Sequence, residues 1–276
     1  MIKGHQTVFI NFADQGFEKA QHLSTWSAKK LGKFDRVIEY APSDIDRNFF
    51  DANRCILEIK RGAGEWLWKP YFILKTLEEM DTGDFLFYCD SGALILRSCK
   101  FLFEPMDASD LWVSDIPLIE RQWTKQSVIN ALGISNREDV LNSNQIQGGF
   151  IGVKKSPQSV RFIREWLRLC CESDLLLPDA ENKKTGDCIS HREDQSILSI
   201  LCKLRGIDPH RDPTQYGRIP EKYKGIGAVF SVPDHEEDNY PVLILLHRTG
   251  NCNWSVILKQ WLNIVLPKKL VRRLIR

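Results

Sequence analysis

The chain has 276 residues, of which 43% are hydrophobic and 27% charged, with a formal net charge of +2. That length allows one large α/β domain or two small ones with a well-buried core, and the composition excludes a disordered chain. So slight a positive balance gives no support to general nucleic-acid binding, and no segment approaches the roughly 20 apolar residues needed to cross a bilayer.

The N-terminal stretch MIKGHQTVFINFADQGF carries an apolar run of only about seven residues, ending at Asp14 without a small-residue cleavage site. It reads as a first strand rather than a signal peptide, which implies a cytoplasmic protein. The eight cysteines include no CxxC pair, and several lie in apolar runs where a thiol acts as a small hydrophobe. Cys188 and His191 have a CxxH spacing, but no second pair completes a zinc site.

There is no internal repeat, and strand and helix alternate through most of the length, the pattern of an α/β sheet with helices on its faces. In chain order, TVFINFA (7–13) predicts strand one, 16–32 a helix closed by Gly32, and RVIEYA (36–41) a strand stopped by Pro42. Residues 43–53 read as a short helix or loop, and CILEIKRGAG as a loop. Leu67, Tyr71, Leu74 and Leu77 recur at helical spacing and predict a helix over 65–80, with Pro70 in its first turn or at a kink. DFLFYCD (84–90) follows as a strand, then a short helix near 98–106, a strand over 110–116 and an exposed helix around 125–132. QIQGGFIGVKK (145–155) reads as a strand with a glycine pair at its start. Ser156 and Pro157 supply the N-cap and first position of a helix whose Val160, Ile163, Leu167 and Cys170 face the core. A surface loop (173–189), a helix (191–204), a Pro/Gly-rich loop (206–228) and a last strand (241–247) complete the prediction.

In a sheet covered on both faces, strands are continuous apolar runs and ligands bind beyond their carboxyl ends. Asp90 follows such a run, and Asp14, Asp115 and His247 end their own predicted strands the same way. One such acid is explained by a helix cap or a turn, whereas four such residues favour a polar, metal-binding rim. In SHREDQSILSILCKLRG, Ser190 and Glu193 fit a capping box, which accounts for Glu193 structurally. Asp194 lies three, four and seven residues before Ile197, Leu198 and Leu201, so it points inward with them, and His191 shares that face. An inward carboxylate is costly unless partnered, so Asp194 is either functional or paired only for structure. Gly148 and Gly149 suit close approach of backbone to a ligand, as they also suit a β-bulge. Lys69 and Arg61 could meet phosphate, although a solvated lysine on a helix flank is commoner, and Trp66 and Trp68 read as core. An imidazole at His247 beside an acidic rim makes Mn²⁺ a chemically reasonable ligand.

Taken in order, these features resemble the nucleotide-sugar glycosyltransferases of the GT-A fold, particularly bacterial enzymes of capsule or lipopolysaccharide assembly. Cys89-Asp90-Ser91-Gly92 looks like their Asp-x-Asp metal motif, with Gly92 in place of the second acid. Gln147-Gly148-Gly149 looks like the glycine segment beside the donor sugar, Arg192-Glu193-Asp194 like the acidic motif at a helix start, and His247 like the C-terminal metal-binding histidine. The resemblance spans about residues 5–254. It implies a Rossmann-like mixed, mostly parallel sheet flanked by helices, as a catalytic domain over 1–253 followed by a basic amphipathic helical segment over 254–276.

The same resemblance implies transfer of a sugar from a nucleotide diphosphate, UDP-linked, to a glycan or lipid-linked oligosaccharide acceptor. Asp194 would be the catalytic carboxylate, and Asp14, Lys69, Asp90, Gln147, Gly148, Gly149, His191 and Gln195 would meet the donor. Asp90 and His247 would hold Mn²⁺ or Mg²⁺ with the diphosphate, or Lys or Arg would neutralise the leaving group instead. The chemistry calls for a cation where the diphosphate departs and carboxylates where the sugar gains positive charge. In an inverting reaction Asp194 would take the acceptor's proton, and in a retaining one it would position or stabilise the sugar. Two rivals use the same residues: a metal-dependent nucleotidyltransferase or phosphodiesterase, and a non-catalytic glycan-binding protein on a degenerate GT-A fold.

The tail WSVILKQWLNIVLPKKLVRRLIR interleaves apolar residues, among them Leu274 and Ile275, with six Lys/Arg and no acid. It suits a peripheral position on the anionic inner face of a membrane, or a helix packed on the domain with a solvated basic face. Pro267 would divide it into a packed and a membrane-facing part.

Overall fold

The computed structural model describes residues 1–106, 109–179, 186–225, 227–235 and 238–275, without the side chains of 272–275. The expected loops over 173–189 and 206–228, and the side chains of Leu274 and Ile275, therefore lie wholly or partly outside the described residues. The main elements are β1 Thr7–Phe12, α1 Glu18–Ser27, β2 Arg36–Tyr40, α2 Trp68–Glu79, β3 Phe85–Cys89, β4 Ala93–Ile95, β5 Leu111–Trp112, β6 Asp115–Ile119, β7 Asn144–Ile146 and β8 Phe150–Lys154. They continue with α3 Pro157–Cys170, α4 Glu193–Leu204, β9 Ile244–Leu246, α5 Trp254–Val265 and α6 Lys268–Ile275.

The central sheet has the order β2-β1-β3-β8-β5. β1 is parallel to β2 and β3, while β8 is antiparallel to both β3 and β5. All its strands except β8 therefore run one way, the mixed, mostly parallel sheet expected. Every residue of β1 and β3 is buried, because both sheet faces are covered. Val8, Ile10, Leu86 and Tyr88 meet Phe72, Ile73 and Leu77 of α2 and Ile163 and Trp166 of α3 in one core. The alternate residues Phe9, Phe85, Phe87 and Cys89 pack with Phe34, Phe103 and Trp112 in the other. Two small antiparallel ladders, β4 with β9 and β6 with β7, stand beside the sheet.

Several expectations change at the sheet edge. The strand expected over 145–155 is two strands: β7 pairs with β6, β8 joins the central sheet, and Gln147, Gly148 and Gly149 make the crossover. The strand expected over 110–116 also splits, so Asp115 begins β6 instead of ending a strand. The last strand shortens to Ile244–Leu246, and its partner β4 was not foreseen. Nor is CILEIKRGAG an open loop, since helical turns form at Arg54–Leu57 and Gly62–Glu65. In the 173–189 region, Ser173–Leu176 is helical and buries Leu175 and Leu176 in the core.

The helix starts follow local chemistry. Pro70 does sit in the first turn of α2. The Ser156 hydroxyl accepts the Ser159 N–H at 3.0 Å with Pro157 following, so α3 begins as its sequence predicts. Its buried face is Phe162, Ile163, Trp166, Leu169 and Cys170, leaving Val160 and Leu167 half-buried. The Ser190–Glu193 capping box does not form: α4 begins at Glu193, whose carboxylate accepts from Arg61 at 2.7 Å instead.

Candidate active site

A cavity of about 430 Å³ opens beyond the carboxyl ends of β1 and β3. Phe12 and Asp14 come from β1 and its loop, Tyr88, Asp90 and Ser91 from the end of β3, and Gln147 and Gly149 from the crossover. Gln195 of α4 also lines it, as do Leu246 and Arg248 around the end of β9. Gly62, Ala63, Trp66 and Trp68 form a further wall.

Asp90 is held by two hydrogen bonds. Its N–H donates to Gly149 O at 2.9 Å, and its carboxylate accepts the Tyr88 hydroxyl at 2.6 Å. A β-carbon on Gly149 would stand 3.0 Å from Asp90 Oδ2, so the glycine is what lets strand and carboxylate meet. Gly148 N–H donates to Gln195 Oε1 at 3.0 Å, while Gln195 Nε2 donates to Gln145 at 2.7 Å. Gln147 Nε2 donates to Ser114 Oγ at 2.7 Å. Asp14 Oδ1 accepts the Gly16 N–H at 3.1 Å.

Against Gly148 lies the ion pair that answers why α4 turns a carboxylate inward. Lys69 Nζ is 2.8 Å from Asp194 Oδ2, with Lys69 and Asp194 only 4% and 3% exposed. Trp166 Nε1 donates to the Asp194 carbonyl at 2.9 Å and holds the first turn of α4 in place. Burial pushes the Asp194 carboxyl up to about 6 despite the opposing pull of Lys69. Burial also works against the Lys69 charge, but the Asp194 and Asp90 carboxylates outweigh it and raise its pKa. Lys69 is thus committed to Asp194 and does not extend toward a phosphate. A β-carbon on Gly148 would lie 3.3 Å from Asp194 Oδ2 and 3.4 Å from Lys69 Nζ, so no side chain of that residue covers the pair.

The Gly62–Trp66 wall is where the sequence reading fell shortest. Ala63, Glu65 and Trp66 all have positive φ, at 51°, 49° and 60°, a conformation disfavoured for residues other than glycine. Trp68 Nε1 donates to Gly62 O at 2.8 Å, and Arg61 ties Glu65 to Glu193 through its guanidinium. Arg61 is therefore a strut between this wall and the start of α4, where burial raises the Glu193 carboxyl to about 7. Trp68 is core as expected, stacked on Phe12 at 3.9 Å, but Trp66 is half-buried and presents itself to the cavity. The signal available was the Arg-Gly-Ala-Gly-Glu run between apolar segments.

Two expected site residues lie elsewhere. His191 precedes α4, and its ring nitrogens meet backbone groups, Leu175 O at 2.9 Å and Lys125 N at 3.5 Å. Burial lowers its pKa to about 3, so it is a neutral core histidine and no donor contact. Asp115 pairs with His235 at 2.7 Å beside a separate cavity of about 160 Å³.

The expected Mn²⁺ or Mg²⁺ can be tested on the donor atoms. Gly92 O accepts the N–H groups of both His247 and Arg248 at 2.9 Å. A β-carbon on Gly92 would sit 3.0 Å from Arg248 Cα, so the place of a second acid is closed by backbone. His247 follows β9 as expected, but its Nδ1 accepts the Thr249 N–H at 3.2 Å. Burial lowers its pKa to about 4, so the ring is neutral; Nδ1 also meets the Thr249 hydroxyl at 3.0 Å, and the buried Nε2 has no hydrogen-bond partner among the described residues. Among the described residues no group of three or more His, Cys, Asp or Glu side chains is placed to hold an ion. With position 92 closed to a second acid, the expected ligands left are Asp90 and His247, too few to hold an ion by themselves.

No protein-family model and no curated protein matches the chain. Solved structures similar to it include mouse xyloside xylosyltransferase 1 in its apo form, 11% identical over 90% of this chain and 98% of that one, with a TM-score of 0.47. The apo glycosyltransferase GlyE of Streptococcus pneumoniae TIGR4 is 16% identical over 96% of this chain, which spans 62% of GlyE, with a TM-score of 0.48. The galactosyltransferase LgtC, solved with donor and acceptor sugar analogs, is 12% identical over 95% of this chain and 98% of its own, with a TM-score of 0.44. At such identities and TM-scores the activity of this chain has to be read from its own side chains.

Proposed function

We propose that the chain is a glycosyltransferase that moves a sugar from a nucleoside-diphosphate donor, UDP-linked, to a glycan or lipid-linked acceptor. The observation that carries this reading is the buried Asp194–Lys69 pair against the glycine crossover, beside a cavity of about 430 Å³. That volume falls in the general range of small-molecule and cofactor sites, on the order of 300–1,000 Å³. As the sugar separates from its diphosphate it gains positive charge, and an ionised Asp194 stabilises that charge in a site where little water screens it. Gly148 and Gly149 let the sugar approach the backbone, and the half-buried Trp66, with the Arg61 guanidinium 4.9 Å over its ring, lines the cavity on the side of the base. A metal-dependent nucleotidyltransferase or phosphodiesterase calls for a cluster of ion-holding side chains, and no group of three or more is placed for this among the described residues. In a non-catalytic glycan-binding protein the Asp194–Lys69 pair would serve structure alone, and no donor would be turned over.

A screen for slow hydrolysis across nucleotide-sugars, run from pH 5 to 8, tests this function. With Asp194 titrating at about 6, the rate on the active donor is expected to fall about tenfold per unit well below that pH and to level off above it. Absence of turnover with every donor would overturn the reading, and a flat profile would remove Asp194 from it. The sign for stability is opposite. The folded state holds this proton above the ordinary value of 3.8, so this group's contribution to stability falls as pH rises from about 4 to 6.

The C-terminal segment adds a location to the proposal. Arg218 binds α5 by donating to the carbonyls of Asn263 and Leu266, each at 2.6 Å, and Ile257 is buried. Trp254 and Trp261 nevertheless remain 68% and 45% exposed, with Leu258, Leu262, Val265 and Leu270 also exposed. No described helix is long and apolar enough to cross a membrane. An apolar face beside Lys259, Lys268 and Lys269, without acids, suits an anionic bilayer surface. Truncation after Asn253 is expected to abolish co-sedimentation with vesicles containing phosphatidylglycerol; undiminished sedimentation would refute the membrane role.

A further inference from the structure

Resting on the transferase reading, we infer that the Arg248 guanidinium, rather than a divalent cation, receives the diphosphate of the donor. The first observation is that the same backbone contact removes one device and installs the other. Gly92 O accepts from His247 N and Arg248 N at 2.9 Å, and Arg248 Cα occupies the space into which a side chain at position 92 would grow. The backbone of Arg248 thus closes the place where an acidic side chain would have held a cation, and its guanidinium starts from that same point.

The second observation is how Arg248 is presented. Its φ of 57° turns the chain sharply at the end of β9, and the residue lines the same cavity as Asp90 and Gly149. The following loop is pinned, because a β-carbon on Gly250 would stand 1.9 Å from Gly16 O and Ala20 N–H donates to Gly250 O at 3.2 Å. This contact fixes the Arg248 loop against the Asp14 loop across the mouth of the cavity.

The third observation is that this charge is unspent. Lys69 is taken by Asp194 and Arg61 by Glu65 and Glu193, but no carboxylate pairs with Arg248 among the described residues. Its guanidinium lies 5.3 Å from the centre of the Tyr216 ring, which orients it without neutralising it. Arg192 is nearby, stacked on Trp123 at 4.2 Å, and burial and the Arg248 charge both lower its pKa. A planar guanidinium donates to two diphosphate oxygens at once, and two arginines without carboxylate partners make a field that favours an anion.

Titration calorimetry on the full chain, treated with EDTA and then supplied with Mn²⁺, tests this with UDP, GDP and dTDP as probes. The expected result is that one nucleotide binds in EDTA nearly as tightly as in Mn²⁺. Arg248→Gly, which relieves the positive φ and so spares the fold, is expected to weaken that binding by about 10- to 100-fold, with Arg248→Lys intermediate. Binding that appears only with Mn²⁺, or metal-free binding unchanged in Arg248→Gly, would overturn the inference and leave the transferase reading standing. No binding of any nucleotide in either condition would overturn both.

Discussion

Replacing Lys69 by methionine is expected to lower unfolding stability by about 3–5 kcal/mol, because it strands a buried carboxylate without its counter-charge. Methionine matches the stem of lysine in length and apolar character, so little of the effect comes from packing. Asp194 keeps its backbone ties but no longer has the 2.8 Å partner that offsets its burial. Its pKa should climb beyond about 6, and the protein should regain stability on acidification as the stranded carboxylate takes up a proton. Urea unfolding at pH 5 and pH 8 reads both effects. The double variant Lys69→Met with Asp194→Leu should recover most of the loss, because removing both charges removes the uncompensated one. A loss under about 1 kcal/mol in the single variant would mean that the pair is solvated and not buried as described.

Asp194→Asn is expected to reduce turnover of the donor by about 100- to 1,000-fold, the usual consequence of removing one preorganised electrostatic group from a reaction centre. The amide keeps the shape of the carboxylate, while the charge proposed to stabilise the sugar is lost. Nucleoside diphosphate binding should be largely retained, because the diphosphate lies toward Arg248. Steady-state kinetics with calorimetry separates the two, and a thermal melt guards against unfolding, since Lys69 becomes the stranded ion. Equal losses in turnover and in nucleotide binding would show a collapsed site instead of a missing charge.

The parts of the molecule legible in the sequence are those where a repeating physical demand covers many residues. β1 and β3 are apolar throughout because both faces are covered, and α3 announces itself through Ser156 and Pro157. Asp90 and Asp194 were legible from the elements around them: Asp90 ends an apolar strand at the carboxyl edge of the sheet, and Asp194 falls on the inward face of α4. What stayed hidden depended on tertiary contacts. The Gly62–Trp66 wall uses left-handed conformations at Ala63, Glu65 and Trp66 that no local preference encodes, held by the link from Arg61 to Glu193 far along the chain. The split of one apparent strand into β7 and β8 follows from each half pairing with a different ladder.

Histidines were the least legible residues. His191 has the spacing of an inward-facing site residue, yet backbone groups of Lys125 and Leu175 meet both its nitrogens. His247 stands at the expected strand end, with its Nδ1 turned to the Thr249 N–H and hydroxyl and its Nε2 buried without a hydrogen-bond partner among the described residues. Arg248, one residue further on, carries no signal in the sequence, because an arginine after a strand has many solvated uses. Its meaning emerges only from the contact that closes the space above Gly92.

The most direct test of the central claim is ³¹P NMR of the full chain incubated with the donor found in the screen. The account predicts that the phosphorus-containing product is the intact nucleoside diphosphate, formed by cleavage between the sugar's anomeric carbon and the phosphate oxygen. Release of nucleoside monophosphate with a sugar phosphate, or of pyrophosphate, would contradict it.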